Sequence, residues 1–161
     1  MRTMKPRRLA VAALMSVALL TACGSDDSSS SSSSASAGAA GDAAQASRTA
    51  DVEITATGYE PPTIEVAKGE TVTFNVTNDD GVLHEFVLGN EGTQDAYAKA
   101  MTDMGSGNGT MEMPDTTNIR VIPPGQSKTI TWTFPNEETE VIYGSHQVED
   151  YKKYKGTITV K

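Results

Sequence analysis

Metal-ligating chemistry in this 161-residue chain rests on two histidines, His84 and His146, and on four methionines packed into thirteen residues. Met101 and Met104 form Met-x-x-Met; Met111 and Met113 form Met-x-Met. Imidazole suits copper, zinc and nickel alike, whereas thioether is a soft donor that selects Cu(I) over Zn(II) or Ca(II). A histidine with two or three methionines therefore describes a Cu(I) site, suited to an oxidising compartment where free thiolates do not last. Each group also has an ordinary structural role open to it. Met101 and Met104 share a face at helical spacing and can pack as core. His84 can be an inert, hydrogen-bonded residue at a strand start, and His146 a solvated loop histidine. Met111 and Met113 lie in Gly- and Asp-containing sequence with little to bury them. Without a metal, exposed methionines would mark a partner surface.

Other chemistries find less support. No Cys–His or Ser–His–Asp pattern with matching context appears, and no Gly-rich phosphate loop. Two histidines exclude a three-histidine hydrolytic zinc site, so no enzyme is expected. Net charge is −8, and residues 51–161 alone carry 8 Lys and Arg against 18 Asp and Glu. So acidic a domain repels phosphate backbones, which argues against nucleic acid and favours a metal cation or a basic protein partner. Lys152, Lys153 and Lys155 are the one basic cluster, and they weigh against tight cation binding beside them.

The N-terminus reads as an address. Arg2, Lys5, Arg7 and Arg8 precede the apolar run Leu9–Leu20, too short to span a bilayer as a stable helix and matching a secretory signal. The run ends Leu20-Thr21-Ala22-Cys23-Gly24, which resembles a bacterial lipobox and implies cleavage before Cys23 and lipidation of that residue. An ordinary signal peptide with a chance cysteine is the alternative. Cys23 is the only cysteine, so no disulfide forms within the chain. Residues 24–50 are mostly Ser, Ala and Gly, with too little apolar surface to offset ordering entropy. Residues 1–22 are thus expected as signal peptide, 23–50 as lipidated cysteine and disordered tether, and 51–161 as the folded domain.

That domain alternates. Asp51–Thr57, Ile64–Val66, Thr71–Asn78, Val82–Leu88, Ile119–Ile122, Ser127–Phe134, Glu140–Tyr143 and Gly156–Val160 read as short strands separated by turn clusters such as Asn78-Asp79-Asp80-Gly81 and Pro123-Pro124-Gly125. Glu91–Met104 reads as one inserted helix. Seven or eight short strands with a small helix argue an all-β, Greek-key β-sandwich.

Several phrases resemble the cupredoxins, the small blue-copper proteins such as plastocyanin and azurin. They are Ile64-Glu65-Val66-Ala67-Lys68-Gly69-Glu70-Thr71-Val72, His84-Glu85-Phe86-Val87-Leu88, and Ile122-Pro123-Pro124-Gly125-Gln126-Ser127 followed by Ile130-Thr131-Trp132. The order is the family's, and a methionine-bearing helix after the His-Glu-Phe strand is similar to its secreted bacterial copper-resistance branch. The resemblance implies a cupredoxin-like sandwich with His84 as a copper ligand. It also implies a Cys, a His and a Met on the last loop. Aligned on Gly156-Thr157-Ile158, this chain has Gly144 for the Cys, Glu149 for the His and Tyr154 for the Met. A blue site depends on its Cu–thiolate bond, so type 1 electron transfer is not expected. The expected function is copper binding, as Cu(I), through His84, His146, Met101, Met104, Met111 and Met113, for storage, delivery or tolerance. The protein would sit on the outer side of a bacterial cell membrane by a lipid anchor, with a copper-handling protein as a further partner. The alternative is a metal-free module of the same fold that binds a protein or small ligand.

Overall fold

The computed structural model describes residues 36–103, 115–146 and 151–161. Ten strands are found among them: β1 (Ala39–Ala40), β2 (Arg48–Thr55), β3 (Gly58–Glu60), β4 (Thr63–Val66), β5 (Thr71–Asn78), β6 (His84–Gly89), β7 (Ile119–Ile122), β8 (Ser127–Thr133), β9 (Thr139–Gly144) and β10 (Lys155–Val160). One helix, α1 (Glu91–Asp103), lies between β6 and β7. The strands form two five-stranded sheets, ordered β1-β8-β5-β2-β3 and β4-β10-β9-β6-β7. The β-sandwich expected from alternation is the fold observed.

The alternating residues close the core between the sheets. Val72, Phe74 and Val76 of β5 face inward with Ile130 and Trp132 of β8, against Phe86 and Leu88 of β6, Tyr143 of β9 and Ile158 of β10. Their polar neighbours pair across the outer face: Thr71 with Thr133 and Thr73 with Thr131, each at 2.9 Å. Strand period 2 converts apolar alternation into one buried face, and those cross-strand hydroxyl pairs fix the register.

β6 departs from that rule, because all six of its residues are buried. One face meets the main core. The other is covered by α1, where Val87, Tyr97 and Ile119 form a second apolar cluster with Met101 packed against it. Gln94, Tyr97 and Met101 recur at spacings of three and four, which puts them on one helix face. Asn90 starts the helix, its Oδ1 accepting the Thr93 N–H at 2.9 Å, as an N-cap asparagine does.

Residues 36–50, expected as the end of a tether, belong to the sandwich instead. Arg48–Ala50 extend β2 in parallel register with Val72–Phe74, and Ala39–Ala40 pair with Thr133 and Trp132. Trp132 donates its indole N–H to the Ala37 carbonyl at 2.8 Å. Gly38, at φ 103°, passes so close to that indole that a Cβ would lie 2.6 Å from its nitrogen. Composition hides this segment because backbone hydrogen bonds hold it, and small residues are what let it approach. Residues 1–35, with the segment read as a signal and Cys23, lie outside the described residues. So do Met104, Met111, Met113 and Glu149.

Candidate functional site

The site is built where the turn before β6, the end of β9 and the start of β10 meet. Asn78, fully buried, donates to the carbonyls of Val82 and Ile122, each at 2.8 Å. Its Oδ1 accepts the Asp80 N–H at 3.0 Å. The Asn-Asp-Asp-Gly turn is thereby pinned, and Asp80 is carried over the first residue of β6. That residue is His84.

His84 is fully buried and both ring nitrogens are engaged. Its Nε2 lies 3.0 Å from Asp80 Oδ2, and its Nδ1 lies 3.2 Å from Ser145 Oγ. Ser145 Oγ also accepts the buried Glu85 N–H at 3.1 Å. Tyr154 lies against the imidazole with ring centroids 4.3 Å apart, and donates its hydroxyl to Asp80 Oδ2 at 2.8 Å. The contacts are met with His84 donating Nε2–H to Asp80 and sharing a hydrogen bond with Ser145 at Nδ1, while the Ser145 oxygen takes the Glu85 N–H. The hydrogen bonds from His84 and Tyr154 hold the Asp80 carboxyl down to about 2.

His146 belongs to a different cluster. Its Nε2 lies 2.8 Å from Gln94 Oε1, and its ring stacks on Tyr151 at 4.2 Å and lies 5.3 Å from Tyr97. Gln94 is nearly fully buried and is fixed by donating to the Val87 and Ile142 carbonyls. Buried Glu85 accepts the Tyr97 hydroxyl at 2.5 Å and the His146 N–H at 3.2 Å. Burial pushes the His146 imidazole down to about 4 and the Tyr151 phenol up to about 12, so both are neutral near pH 7. Among the described residues, His146 Nδ1 takes no hydrogen bond, which leaves its lone pair available.

Strand alternation separates the two histidines. On β6, His84, Phe86 and Leu88 turn to the main core while Glu85 and Val87 turn to α1. On β9 and its continuation, Tyr143 and Ser145 face the His84 side, whereas Gly144 and His146 face the α1 side. The structure therefore does not bring His84 and His146 together. Gly144, aligned with the family's cysteine, faces the wrong way, since a Cβ there would meet Tyr151 at 2.6 Å. Ser145 is the residue that faces His84. A shift of one residue along a strand exchanges its faces. Tyr154, aligned with the family's Met, lies against the His84 ring. Met101 packs among Val87, Tyr97 and Ile119.

Asp80, Ser145, Gln94 and Tyr97 were missed by sequence reasoning. Asp80 sits four residues before His84 in a turn-forming run, and Gln94 is the polar member of the α1 stripe; those spacings were the available signals. The residues that replace the family's loop ligands do not fit a copper centre of the blue type. Among the described residues, the groups around His84 are a carboxylate, a hydroxyl and a phenol, which are hard oxygen donors. Among the described residues, no cluster of three or more His, Cys, Asp or Glu is placed to hold a metal ion. The order carboxylate, imidazole, hydroxyl is also that of a hydrolytic triad, yet Ser145 is fully buried and offers a substrate no approach.

Comparison with known proteins places the chain by class. A family model described as Cupredoxin-like domain matches residues 11–99, and the chain belongs to that family. It is 32% identical to the copper-resistant cuproprotein CopI of Pseudomonas aeruginosa, over 81% of this chain and 84% of the relative. It is 35% identical to the protein of the same name from Rubrivivax gelatinosus, over 83% of this chain and 82% of the relative. Auracyanin B superposes with a TM-score of 0.57 at 21% identity, covering 78% of this chain and 96% of that one, which speaks for the fold alone.

Proposed function

We propose that this protein binds copper for storage, delivery or tolerance outside the cytoplasm, without type 1 electron transfer and without an enzymatic reaction. The observation that carries this reading is the likeness over most of both chains to proteins named for copper resistance. The residues add chemical support. His146 is held neutral, with Nδ1 available, against the helix that bears Met101. Met104, Met111 and Met113 follow in sequence. Imidazole and thioether together suit Cu(I). His146 with these methionines is the proposed ligand set.

The test is titration of the protein with Cu(I) under reducing conditions, read by competition with a chromophoric Cu(I) chelator. The expected result is uptake that His146→Ala weakens at least about tenfold, equivalent to about 1.4 kcal/mol. A melting temperature unmoved by excess copper would defeat the proposal, since a ligand that binds only the folded state must stabilise it. The second reading, a metal-free module for a protein or small ligand, draws support from the fully hydrogen-bonded state of His84.

We further propose that Cys23 is lipidated and tethers the domain to the outer side of a bacterial cell membrane. The support is the charged, apolar and Leu-Thr-Ala-Cys segments in their proper order. Loss of membrane association in Cys23→Ser cells is the expected outcome.

A further inference from the structure

At the place where the family resemblance calls for a copper centre, Asp80, His84 and Tyr154 touch one another and Ser145 joins them through His84. We propose that Asp80, His84, Ser145 and Tyr154 form a metal-excluding plug, so that His84 is a structural residue and any copper is held elsewhere.

Three observations carry this. Both nitrogens of the His84 ring already have partners, at 3.0 Å and 3.2 Å. A metal at Nδ1 must displace the Ser145 hydroxyl, which also receives the buried Glu85 N–H. A metal at Nε2 must displace a proton shared with a carboxylate that Tyr154 also holds. Either route strips partners from buried polar groups, the most costly change open to such groups.

Access is closed as well. His84 is fully buried and Tyr154 is only 5% exposed, with its ring lying against the imidazole. Among the described residues the donor set points the same way, because three oxygens and one imidazole offer nothing that favours Cu(I). Among the described residues, no buried side-chain nitrogen or oxygen lacks a partner. An open ligand site would leave at least one donor waiting.

The inference stands apart from the copper reading, and the experiment separates them. Full-length, 15N-labelled protein is titrated with Cu(I), which is diamagnetic, and the histidine rings are followed by long-range 1H–15N NMR. The expected His84 signals are those of a ring that keeps its Nε2 proton, unmoved through a twofold molar excess of Cu(I). Loss of that proton, or a metal-induced shift of its ring nitrogens, overturns the plug. Movement of His146 tests the copper reading and leaves the plug untouched. If no copper is taken up at all, an unmoved His84 still supports exclusion at this place, and the copper reading alone fails. In parallel, His84→Gln is expected to change Cu(I) affinity less than twofold while lowering the melting temperature. A tenfold loss of affinity in that variant, with the fold retained, would make His84 a ligand.

Discussion

Ser145 joins two buried groups. Its oxygen accepts the Glu85 N–H and shares a hydrogen bond with His84 Nδ1. Ser145→Ala takes a partner from each, and a buried polar group that loses its partner costs about 1–3 kcal/mol. The expected destabilisation is therefore about 2–6 kcal/mol in urea unfolding. Tyr154→Phe removes one hydrogen bond but keeps the ring over His84, so about 0.5–1.5 kcal/mol is expected. Equal losses in the two variants would show that Ser145 is not the centre of the cluster. The His146 ring sets a pH dependence of the opposite sign to a salt-bridged histidine. Its folded value is lowered from 6.5 to about 4 by burial, so between those limits the unfolded chain binds the proton and the folded chain does not. Stability rises with pH there, and is lost as pH falls from about 6.5 to 4. Metal-free protein should show this slope in denaturant midpoints, and His146→Phe should flatten it.

At the level of elements, α1 is held to the sheet by a polar clamp as much as by its apolar stripe. Gln94 bridges β6 and β9 by donating to the Val87 and Ile142 carbonyls and accepting from His146. Tyr97 adds a hydrogen bond to buried Glu85, which with burial raises its own phenol well above the usual range. Gln94→Leu fills similar space but leaves the Val87 and Ile142 carbonyls and the His146 ring Nε2 without that partner. About 2 kcal/mol of destabilisation is expected, with faster amide exchange in α1 than in β5. Unchanged exchange in the helix would mean that Val87, Tyr97 and Ile119 hold it unaided.

For the whole molecule, the domain begins well before the first clear alternation. A chain cut to begin at residue 36 keeps every described strand and serves as the reference. Deleting through residue 47 also removes β1 and exposes the Trp132 indole, which Ala37 partners and Gly38 crosses. About 1–3 kcal/mol should then be lost, and thermal melts of the two truncations should separate. Coincident melts would show that the β1 segment adds nothing. The acidic surface of the domain, with 18 Asp and Glu against 8 Lys and Arg beyond residue 50, remains available to cations whichever ligands hold them.

The amino-acid order determined the sheets. Strand period 2 in Thr71–Asn78 and Ser127–Phe134 names its own buried face, and Thr71–Asn78 and Ile119–Ile122 were legible to the residue. His-Glu-Phe, the Lys-Gly-Glu turn and the Pro-Pro-Gly stop carried the cupredoxin-like fold. Tertiary structure decided the rest. Which of Gly144 and Ser145 faces His84 depends on the register of β9 against β6, and one residue of slip exchanges the faces. Asp80 meets His84 only because Asn78 pins a turn through two distant carbonyls. Gly38 and Ala39 join the sandwich through backbone groups that every residue carries alike. Side-chain pattern reports what faces water, whereas partners that meet across 60 residues, as His84 and Ser145 do, are settled by packing.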